Sequence, residues 1–243
     1  MKISVCIPMY NEHAICVATA RTLCRAMTTY CMRQGYDWEM IFCDDGSTDG
    51  SLELLQNTVK REGLSRVRCI GYAQNRGKGA AVRTAVLASS GDVVLYTDCD
   101  LAYGTDVIEL GAEKVLEGNP FVLGSRNLDP NGYAGYTFLR RIASKLYIKV
   151  IAVCAGFRLT DSQCGFKCFD GDTARRIFSL CTIDGFAFDL EAIKIAQKLE
   201  IPLAEIPVHI INHRDSKISI VRDAVHMLGD IRRIKKHVRS LQD

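Results

Sequence analysis

Residues 91–101 read Gly91-Asp92-Val93-Val94-Leu95-Tyr96-Thr97-Asp98-Cys99-Asp100-Leu101, a short apolar run that ends in two carboxylates one residue apart. A run this short and rich in β-branched residues is typical of a buried parallel strand. In open α/β sheets the ligand lies beyond the carboxyl ends of the strands, which is where Asp98 and Asp100 fall. Two acids in that position favour a divalent cation shared with substrate phosphates, whereas solvated loop acids are the alternative for an isolated Asp-x-Asp triplet.

The chain before this stretch alternates predicted strands with predicted helices. The strands are Lys2–Pro8, Trp38–Cys43 and Val67–Tyr72, and the helices cover about 14–33, 51–62 and 79–88. Polar turns follow each strand, which predicts an α/β fold with a right-handed, mostly parallel nucleotide-binding sheet flanked by helices. The first turn contains no glycine and residues 77–79 lack the P-loop spacing, so neither a Rossmann dinucleotide site nor a P-loop is expected.

Composition limits the classes of partner. The chain has 243 residues, of which 48% are hydrophobic and 24% are charged, so it can form one large α/β domain or two small ones. A net charge of +3 is too small for a general polyanion binder, and no nucleic-acid partner is expected. Basic residues cluster in two stretches, between 129 and 161 and between 214 and 239. These stretches favour phosphates or an anionic membrane face, with solvated helix faces as the alternative.

The eleven cysteines form no Cys-x-x-Cys pair, and Cys164 and Cys168 have no second pair with which to complete a zinc site. They are interpreted as small buried hydrophobes in a reducing, cytoplasmic compartment. No signal peptide is recognised, and the longest apolar run, residues 150–157, is too short to span a bilayer. A protein of this kind that acts at a membrane is expected to lie on its surface, as a peripherally associated protein.

Four ordered motifs in the first hundred residues resemble those of the inverting GT-A glycosyltransferases of family 2. They are Ile7-Pro-Met-Tyr-Asn-Glu12, Asp44-Asp-Gly-Ser-Thr-Asp-Gly50, Asn75-Arg-Gly-Lys-Gly79 and Asp98-Cys-Asp100.

The resemblance implies a nucleotide-sugar site with a Mg²⁺ or Mn²⁺ ion. It assigns the ion to Asp98 and Asp100, and it assigns the nucleotide-sugar to Pro8, Tyr10, Asn11, Glu12, Asp44, Asp45, Lys78, Asp98, Cys99 and Gln163. Turn and helix capping is the alternative for Asp44 and Asp45, and a surface charge is the alternative for Lys78. Leu101 and Ala102 stand where some members of the family carry a further metal ligand, so fewer protein ligands are expected here.

A further predicted strand begins at Phe121 and ends in a basic residue, Arg126. Arginine presents a rigid fork to phosphate oxygens, so Arg126 is a candidate clamp on the leaving diphosphate. A structural salt bridge is the alternative.

Three segments of the second half resemble the polyprenyl-phosphate glycosyltransferases, both the dolichyl-phosphate glucosyltransferase-like and the mannosyltransferase-like members. They are Thr160-Asp-Ser-Gln-Cys-Gly-Phe-Lys167, Phe186-Ala-Phe-Asp-Leu-Glu191 and Ser216-Lys-Ile-Ser219. The resemblance implies that Asp161 and Gln163 line the sugar pocket and that Arg214 and Lys217 close over the phosphates. Alternatives are an N-cap or a partner of Arg158 or Lys167 for Asp161, and first-turn helix acids for Asp189 and Glu191.

Two amphipathic helices are predicted in the second half. Arg141, Lys145 and Lys149 recur every four residues beside the apolar residues of the same stretch, which is the pattern of a helix in the bilayer interface. The predicted division is a GT-A catalytic domain 1–217, with a nucleotide-binding half 1–100, a sugar and acceptor half 101–217 that includes an amphipathic helix 137–155, and a basic amphipathic helix 218–243. For the last helix, an ordinary helix packed on the domain is favoured over a helix in the bilayer interface. A homo-oligomer or a membrane partner subunit that covers the apolar stripe is a further alternative.

The predicted function is a metal-dependent, inverting transfer of a hexose from a nucleotide-sugar to a polyprenyl (dolichyl or undecaprenyl) phosphate at the cytoplasmic membrane face. A UDP-glucose-like donor is favoured and a GDP-sugar is the alternative. The predicted catalytic residues are Asp98, Asp100, Arg126, Asp161 and Lys217, and those for the acceptor phosphate are Arg140, Arg141 and Arg214. Two other functions stay open: transfer to a hydroxyl, which would need Asp161 or Asp189 as a base, and nucleotide-sugar binding without turnover.

Overall fold

The computed structural model describes residues 1–138, 141–142, 144–145, 148, 151, 156, 159–212 and 220–241, and within 220–228 it describes the helical backbone only. Its strands are β1 (Lys2–Met9), β2 (Asp37–Asp44), β3 (Val67–Gly71), β4 (Val93–Tyr96), β5 (Phe121–Ser125), β6 (Lys167–Asp170) and β7 (Leu203–Pro207). They form one seven-stranded sheet in the order β3-β2-β1-β4-β6-β5-β7.

The helices are α1 (Cys16–Gln34), α2 (Ser51–Arg61), α3 (Lys78–Leu87), α4 (Asp106–Leu116), α5 (Gly171–Leu180), α6 (Phe188–Lys198) and α7 (Ile220–Ser240). In addition, every described residue from Phe138 to Ile151 is helical. Within the described part of the chain, no helix combines the length and the apolar composition that a bilayer crossing requires.

The sheet is parallel except at β6, which runs antiparallel to both β4 and β5. The prediction of an α/β fold with a mostly parallel sheet is therefore confirmed. The predicted elements of the first hundred residues agree with the observed ones to within about two residues at most ends, as the matched bounds of β1 and α2 illustrate. β6 and β7 were not predicted.

Both faces of the sheet are covered by helices, which is why the central strands are buried along nearly their whole length. On one face, α1, α2 and α4 contribute side chains such as Leu23, Leu55 and Ile108 to a continuous core. On the other face, α3, α5, α6 and α7 form a second core. The apolar side of the described part of α7, represented by Ile231 and Ile234, belongs to this second core, so α7 packs on the domain along that part.

The direction of β6 brings the second half of the chain to the ligand edge. β1 to β4 end at one edge of the sheet, here called the carboxyl edge, at Met9, Asp44, Gly71 and Tyr96. Because β6 is antiparallel, it begins at that edge, with Lys167 opposite Tyr96. The segment 160–166, which leads into β6, consequently lies beside the acids that follow β4.

Candidate active site

The loops after β1 and β2 are tied together by side chains that accept backbone hydrogen bonds. Asp44 is buried and accepts from the backbone N–H and the hydroxyl of Ser47. The Ser47 hydroxyl accepts in turn from the Asn11 N–H at 2.8 Å, and the Asn11 side chain accepts from the Thr48 N–H at 2.9 Å. Asn11 has a positive φ of 53°, a conformation that asparagine tolerates better than most residues. Asp44 therefore has the turn-forming contacts expected of a capping acid.

The first loop presents its side chains unequally. Pro8 is buried within β1, whereas Tyr10 is 41% exposed beyond the strand end. Glu12 is partly exposed, and its backbone carbonyl accepts hydrogen bonds from the N–H groups of Ile15 and Cys16, where α1 begins. Tyr10 and Glu12 thus reach solvent beyond the end of β1.

Asp45 connects β2 to the loop that follows β3. Its carboxylate accepts from the Tyr72 hydroxyl at 2.7 Å, from Asn75 Nδ2 at 2.8 Å and from the backbone N–H groups of Arg76 and Gly77 at 2.9 Å. Burial, followed by this hydrogen bond, raises the pKa of the Tyr72 hydroxyl, which keeps its proton as a donor. Asp45 fixes the position of the glycine-containing loop.

That glycine-containing loop packs against the segment that leads into α6. A Cβ at Gly77 would lie 2.5 Å from the Asp184 carbonyl oxygen, and one at Gly79 would lie 2.6 Å from the Ile183 carbonyl oxygen. Gly77 also has a φ of 117°, which side chains rarely allow. The two glycines let the backbone approach closely, and this approach sets the position of Lys78 between them.

Lys78 and Asp98 form an ion pair at the carboxyl edge. The Lys78 Nζ lies 2.5 Å from Asp98 Oδ1, and the two side chains are 23% and 32% exposed. The other oxygen of Asp98 faces Gly165, where a Cβ would lie only 2.2 Å away. Asp98 is therefore held between the first and second halves of the chain while its carboxylate still meets solvent.

The segment after Asp98 has an unusual backbone. Leu101 has a φ of 49°, the Asp100 carboxylate accepts from the Ala102 N–H at 3.1 Å, and Asn212 donates to the Asp100 and Leu101 carbonyl oxygens. The Cys99 side chain is buried in the core. Burial also raises the pKa of the Cys99 thiol, which keeps it protonated.

Asp161 is paired with Arg126, which joins two predicted site residues. The guanidinium contacts both carboxylate oxygens, at 2.6 Å from Nε and 2.9 Å from Nη2, and Asp161 is fully buried. Glu205 holds the same loop by accepting from the N–H groups of Thr160 and Asp161. The partner of Asp161 is thus Arg126 and not Lys167, and Arg158, the other partner considered, lies outside the described residues. The backbone N–H of Gln163 donates to Asp161 Oδ1 at 3.2 Å, and the Gln163 residue is partly exposed.

Asp189 belongs to a second buried ion pair. Lys167, which is fully buried, places its Nζ 2.8 Å from Asp189 Oδ1 and 2.5 Å from the Cys164 carbonyl oxygen. The Tyr96 hydroxyl also donates to Asp189. Sequence reasoning named Asp189 but missed both of its partners. Tyr96 is the last residue of β4 and stands two positions before Asp98, and this closeness in the sequence was the signal available.

Glu191 has a role in the packing of loops. It is fully buried and accepts from the Thr182 N–H at 2.8 Å, from the Thr182 hydroxyl at 2.7 Å and from the Ile183 N–H at 2.7 Å. These three hydrogen bonds fix the loop between α5 and α6, so the role of Glu191 is to stabilise the fold.

A group of cations surrounds Tyr133 beside the Arg126–Asp161 pair. Arg126, Arg141 and Lys145 place their charges 5.5, 6.0 and 5.5 Å from the centre of the Tyr133 ring. The Tyr133 hydroxyl is buried and has no hydrogen-bond partner among the described residues. Three further predicted phosphate-binding residues, Arg140, Arg214 and Lys217, lie outside the described residues.

The carboxylates of the carboxyl edge suit a metal that is shared with a ligand. Among the described residues, no group of three or more His, Cys, Asp or Glu side chains could hold a metal ion. Asp98 and Asp100 provide two hard oxygen donors, which fits a Mg²⁺ or Mn²⁺ ion that takes its other ligands from phosphates and water.

Comparison with known proteins adds evidence from outside the chain. The profile of the family described as "Glycosyl transferase family 2" matches residues 4–176. The dolichyl-phosphate beta-glucosyltransferase of Dictyostelium discoideum is 33% identical over 241 residues, which cover 96% of this chain and 73% of that protein. The enzyme of the same name from Mus musculus is 31% identical over 228 residues, which cover 89% of this chain and 69% of that protein.

Solved structures share the fold. The glucosyl-3-phosphoglycerate synthase of Mycobacterium tuberculosis, in complex with Mn²⁺, uridine diphosphate and phosphoglyceric acid, superposes with a TM-score of 0.68. The sequence identity is 19%, and the match covers 100% of this chain and 80% of that one. A second complex of the same enzyme, with Mn²⁺, UDP-glucose and phosphoglyceric acid, also gives a TM-score of 0.68, at 17% identity, with 100% and 81% of the two chains covered. At these identities, the likeness shows that the GT-A fold is shared.

Proposed function

The chain belongs to glycosyl transferase family 2 and is a glycosyltransferase, and we propose that it transfers glucose from UDP-glucose to the phosphate of a polyprenyl lipid, with inversion at the anomeric carbon. Both curated relatives described above are named dolichyl-phosphate beta-glucosyltransferases, which supports the lipid phosphate as acceptor. The solved complexes that share the fold contain UDP-glucose or uridine diphosphate with Mn²⁺, which supports the donor.

The proposed donor site lies along the carboxyl edge. Tyr10 and Glu12 are exposed enough to contact the base and ribose, and Asn11 and Asp44 fix the loops that carry them. The other residues predicted to bind the nucleotide-sugar remain predictions; they are Pro8, Asp45, Cys99 and Gln163. A divalent cation bound by Asp98 and Asp100 would supply positive charge to the leaving diphosphate.

The observation that carries the choice of acceptor is that both candidate bases are ion-paired. Asp161 has both oxygens engaged by Arg126, and Asp189 is engaged by Lys167 and by the Tyr96 hydroxyl. A carboxylate that is already the hydrogen-bonded partner of a cation must give up part of that contact before it can take the proton of an acceptor hydroxyl. A hydroxyl acceptor needs its proton removed, whereas a phosphate monoester, with a second pKa near roughly 6, is mostly ionised at neutral pH. The phosphate acceptor therefore fits this site better.

The bonding changes of the proposed step balance without a base. An oxygen of the acceptor phosphate forms a bond with the anomeric carbon, on the face opposite the donor diphosphate. The bond between that carbon and the diphosphate oxygen breaks, and its electron pair leaves with UDP. The chain contributes by orienting the sugar with the loop fixed by Asp161 and by placing the Lys78 ammonium near the leaving phosphates.

The acceptor phosphate is proposed to lie near Tyr133. Arg141 and Lys145 bring two exposed cationic side chains to this ring, next to the Arg126 guanidinium that Asp161 already engages. Lysine and arginine are the usual partners of a phosphate. Arg140, Arg214 and Lys217 remain predictions for the same role.

The same region offers a surface for the membrane. Phe138 is 76% exposed and Ile142 is 48% exposed, while Arg141 and Lys145 are exposed beside them. Apolar side chains flanked by cations are typical of a segment that lies in the interface of an anionic membrane. We place this segment against the cytoplasmic membrane face, where a polyprenyl phosphate presents its head group. An oligomer or a membrane partner subunit stays a prediction.

The direct test incubates the purified protein with UDP-glucose, GDP-mannose or UDP-N-acetylglucosamine, with Mg²⁺ or Mn²⁺, and with a polyprenyl phosphate in detergent. The expected result is a glucosylated lipid formed from UDP-glucose in step with the release of UDP. The matched control is the polyprenyl alcohol, which has the same chain but no phosphate. Glucose transfer to the alcohol or to water alone would contradict the proposal, and so would UDP-glucose binding with no release of UDP.

A further inference from the structure

Lys78 occupies a position that helix stability does not explain. It is the first residue of α3, and a cation in the first turn faces the positive end of the helix dipole. Its ammonium lies instead 2.5 Å from Asp98 Oδ1 and 6.0 Å from the centre of the Phe188 ring. The close packing of Gly77 and Gly79 on the 183–185 segment fixes the backbone on both sides of it. The fold therefore holds a cation against one of the two carboxylates assigned to the metal.

The Lys78 ammonium pairs with Asp98 at the carboxyl edge. Asp189 has its own buried cation, Lys167. In the described part of the chain, Lys78 is thus the ionic partner of Asp98.

A metal ion and the Lys78 ammonium compete for the same carboxylate. A divalent ion bound by Asp98 and Asp100 would meet an ammonium already in place, and like charges at such distances repel. No third acid, histidine or cysteine among the described residues completes a metal site with these two. The described residues by themselves therefore offer a metal two carboxylates and a neighbouring positive charge.

A nucleoside diphosphate removes both obstacles. Its phosphate oxygens supply the missing hard ligands of the metal, and they also offer the ammonium a new anionic partner. The lysine side chain has a flexible four-carbon stem, so its ammonium can turn from Asp98 to a phosphate while the backbone of α3 stays in place.

We infer that Lys78 makes metal binding conditional on the nucleotide: it holds Asp98 in the donor-free enzyme and moves to the donor diphosphate when metal and nucleotide bind together. This inference rests on the proposed donor site and does not depend on the acceptor. Coupling between two ligands is reciprocal, so Mn²⁺ strengthens UDP binding by the same factor by which UDP strengthens Mn²⁺ binding.

The experiment measures free Mn²⁺ by electron paramagnetic resonance in titrations of the protein, with and without saturating UDP. It compares the wild type with Lys78→Met, Lys78→Arg and the control Lys114→Met, which removes an exposed lysine that pairs with Glu117. In the wild type we expect UDP to tighten Mn²⁺ binding by at least roughly 10-fold, within the range usual for coupled sites. In Lys78→Met we expect Mn²⁺ alone to bind roughly 10-fold more tightly than to the wild type, and the gain from UDP to shrink. Lys78→Arg and Lys114→Met should keep the wild-type pattern.

The outcomes separate this inference from the proposed function. Mn²⁺ binding to Lys78→Met that is equal to or weaker than wild-type binding, in a variant whose circular dichroism and urea midpoint show it folded, would overturn the inference. So would an absence of Mn²⁺ binding in the presence of UDP, which would also remove the metal from the proposed donor site. If the coupling is observed and no glucosylated lipid forms, the inference stands and only the acceptor assignment fails.

Discussion

The two edges of the sheet both carry acidic side chains, but their surroundings differ. At the amino edge, Glu39 is buried and accepts from the Ser4 hydroxyl at 2.8 Å and from the N–H and hydroxyl of Ser90 at 2.8 and 2.9 Å. At the carboxyl edge, Asp98 is 32% exposed on a loop and has a lysine as its ionic partner. A buried acid whose partners, charged and neutral, are fixed in place stabilises the fold, whereas an exposed acid on a rim can exchange its partner for a ligand.

The comparison predicts that changes at the carboxyl edge affect turnover and that changes at the amino edge affect stability. The largest effect is expected from Asp100→Ala, which removes a proposed metal ligand. We expect turnover to fall by roughly 10³-fold, because charge stabilisation of the leaving diphosphate is lost, with the urea midpoint nearly unchanged. The control is Asp172→Ala at the amino edge, where the side chain is 97% exposed. Equal turnover of Asp100→Ala and the wild type would contradict the claim that the carboxyl edge carries the activity.

The next effect concerns stability and is expected from Glu39→Gln. Burial raises the pKa of Glu39, but the hydrogen bonds from Ser90 and Ser4 and the contact with Lys2 outweigh burial and lower it from 4.5 to about 2. A lowered pKa in the folded state means that the ionised carboxylate stabilises the fold above pH 4.5 and that this contribution is lost as the pH falls through about 2.

We therefore expect Glu39→Gln to lower the free energy of unfolding by about 3 kcal/mol at pH 7, and by progressively less in acid. Urea denaturation between pH 3 and 7 measures this difference. Glu117→Gln, which changes an exposed glutamate, should shift the free energy by less than about 0.5 kcal/mol. A loss for Glu39→Gln that does not change with pH would show that the charge is not the cause.

A smaller effect is expected where the two halves of the chain meet. Gly165→Ala introduces a Cβ that would lie 2.2 Å from Asp98 Oδ2, so the carboxylate must move. We expect turnover to fall by roughly 10- to 100-fold, because displacement of a site residue by about 1 Å has effects of this size. Gly185→Ala, where a Cβ meets no atom within 4 Å, is the matched control. Equal turnover for the two variants would mean that the position of Asp98 is unimportant.

The smallest expected effect is on membrane binding. Phe138→Ser removes an exposed apolar side chain from the segment 138–145, which is proposed to lie against the membrane. We expect binding to vesicles with anionic lipids to weaken by about 3- to 10-fold, because one side chain contributes a limited apolar area. Co-sedimentation with the vesicles measures this. Met32→Ser is the control, because Met32 is equally exposed, at 78% against 76%, on α1. The membrane assignment would be contradicted if the two variants behaved alike.

The sequence predicted the first half well because its signals are local. β1, β2 and β4 are short apolar runs, each followed by polar turns, and the acids after them fall where parallel strands end. β6 escaped prediction because it has only four residues, Lys167–Asp170, and its pairing with β4 joins segments about seventy positions apart. No local pattern reveals that an antiparallel strand enters a parallel sheet.

Ion pairing was the other part that the sequence left open. Arg126 and Asp161 were both assigned to the site, but their pairing depends on β5 and the 160–166 segment meeting in space. The same holds for Lys167 with Asp189 and for Lys78 with Asp98. Motifs can assign each of these side chains to the site. Which of them pair with each other, across 20 to 35 positions of sequence, depends on how the sheet is assembled.

The central claim is that a metal and a nucleoside diphosphate meet at the carboxyl edge. Anomalous diffraction from a crystal soaked with Mn²⁺ and UDP tests it most directly. The account predicts a manganese peak about 2.1 Å from a carboxylate oxygen of Asp98 or Asp100 and from oxygens of the diphosphate, with the Lys78 ammonium turned toward a phosphate. A manganese ion and a diphosphate bound away from these acids would contradict it.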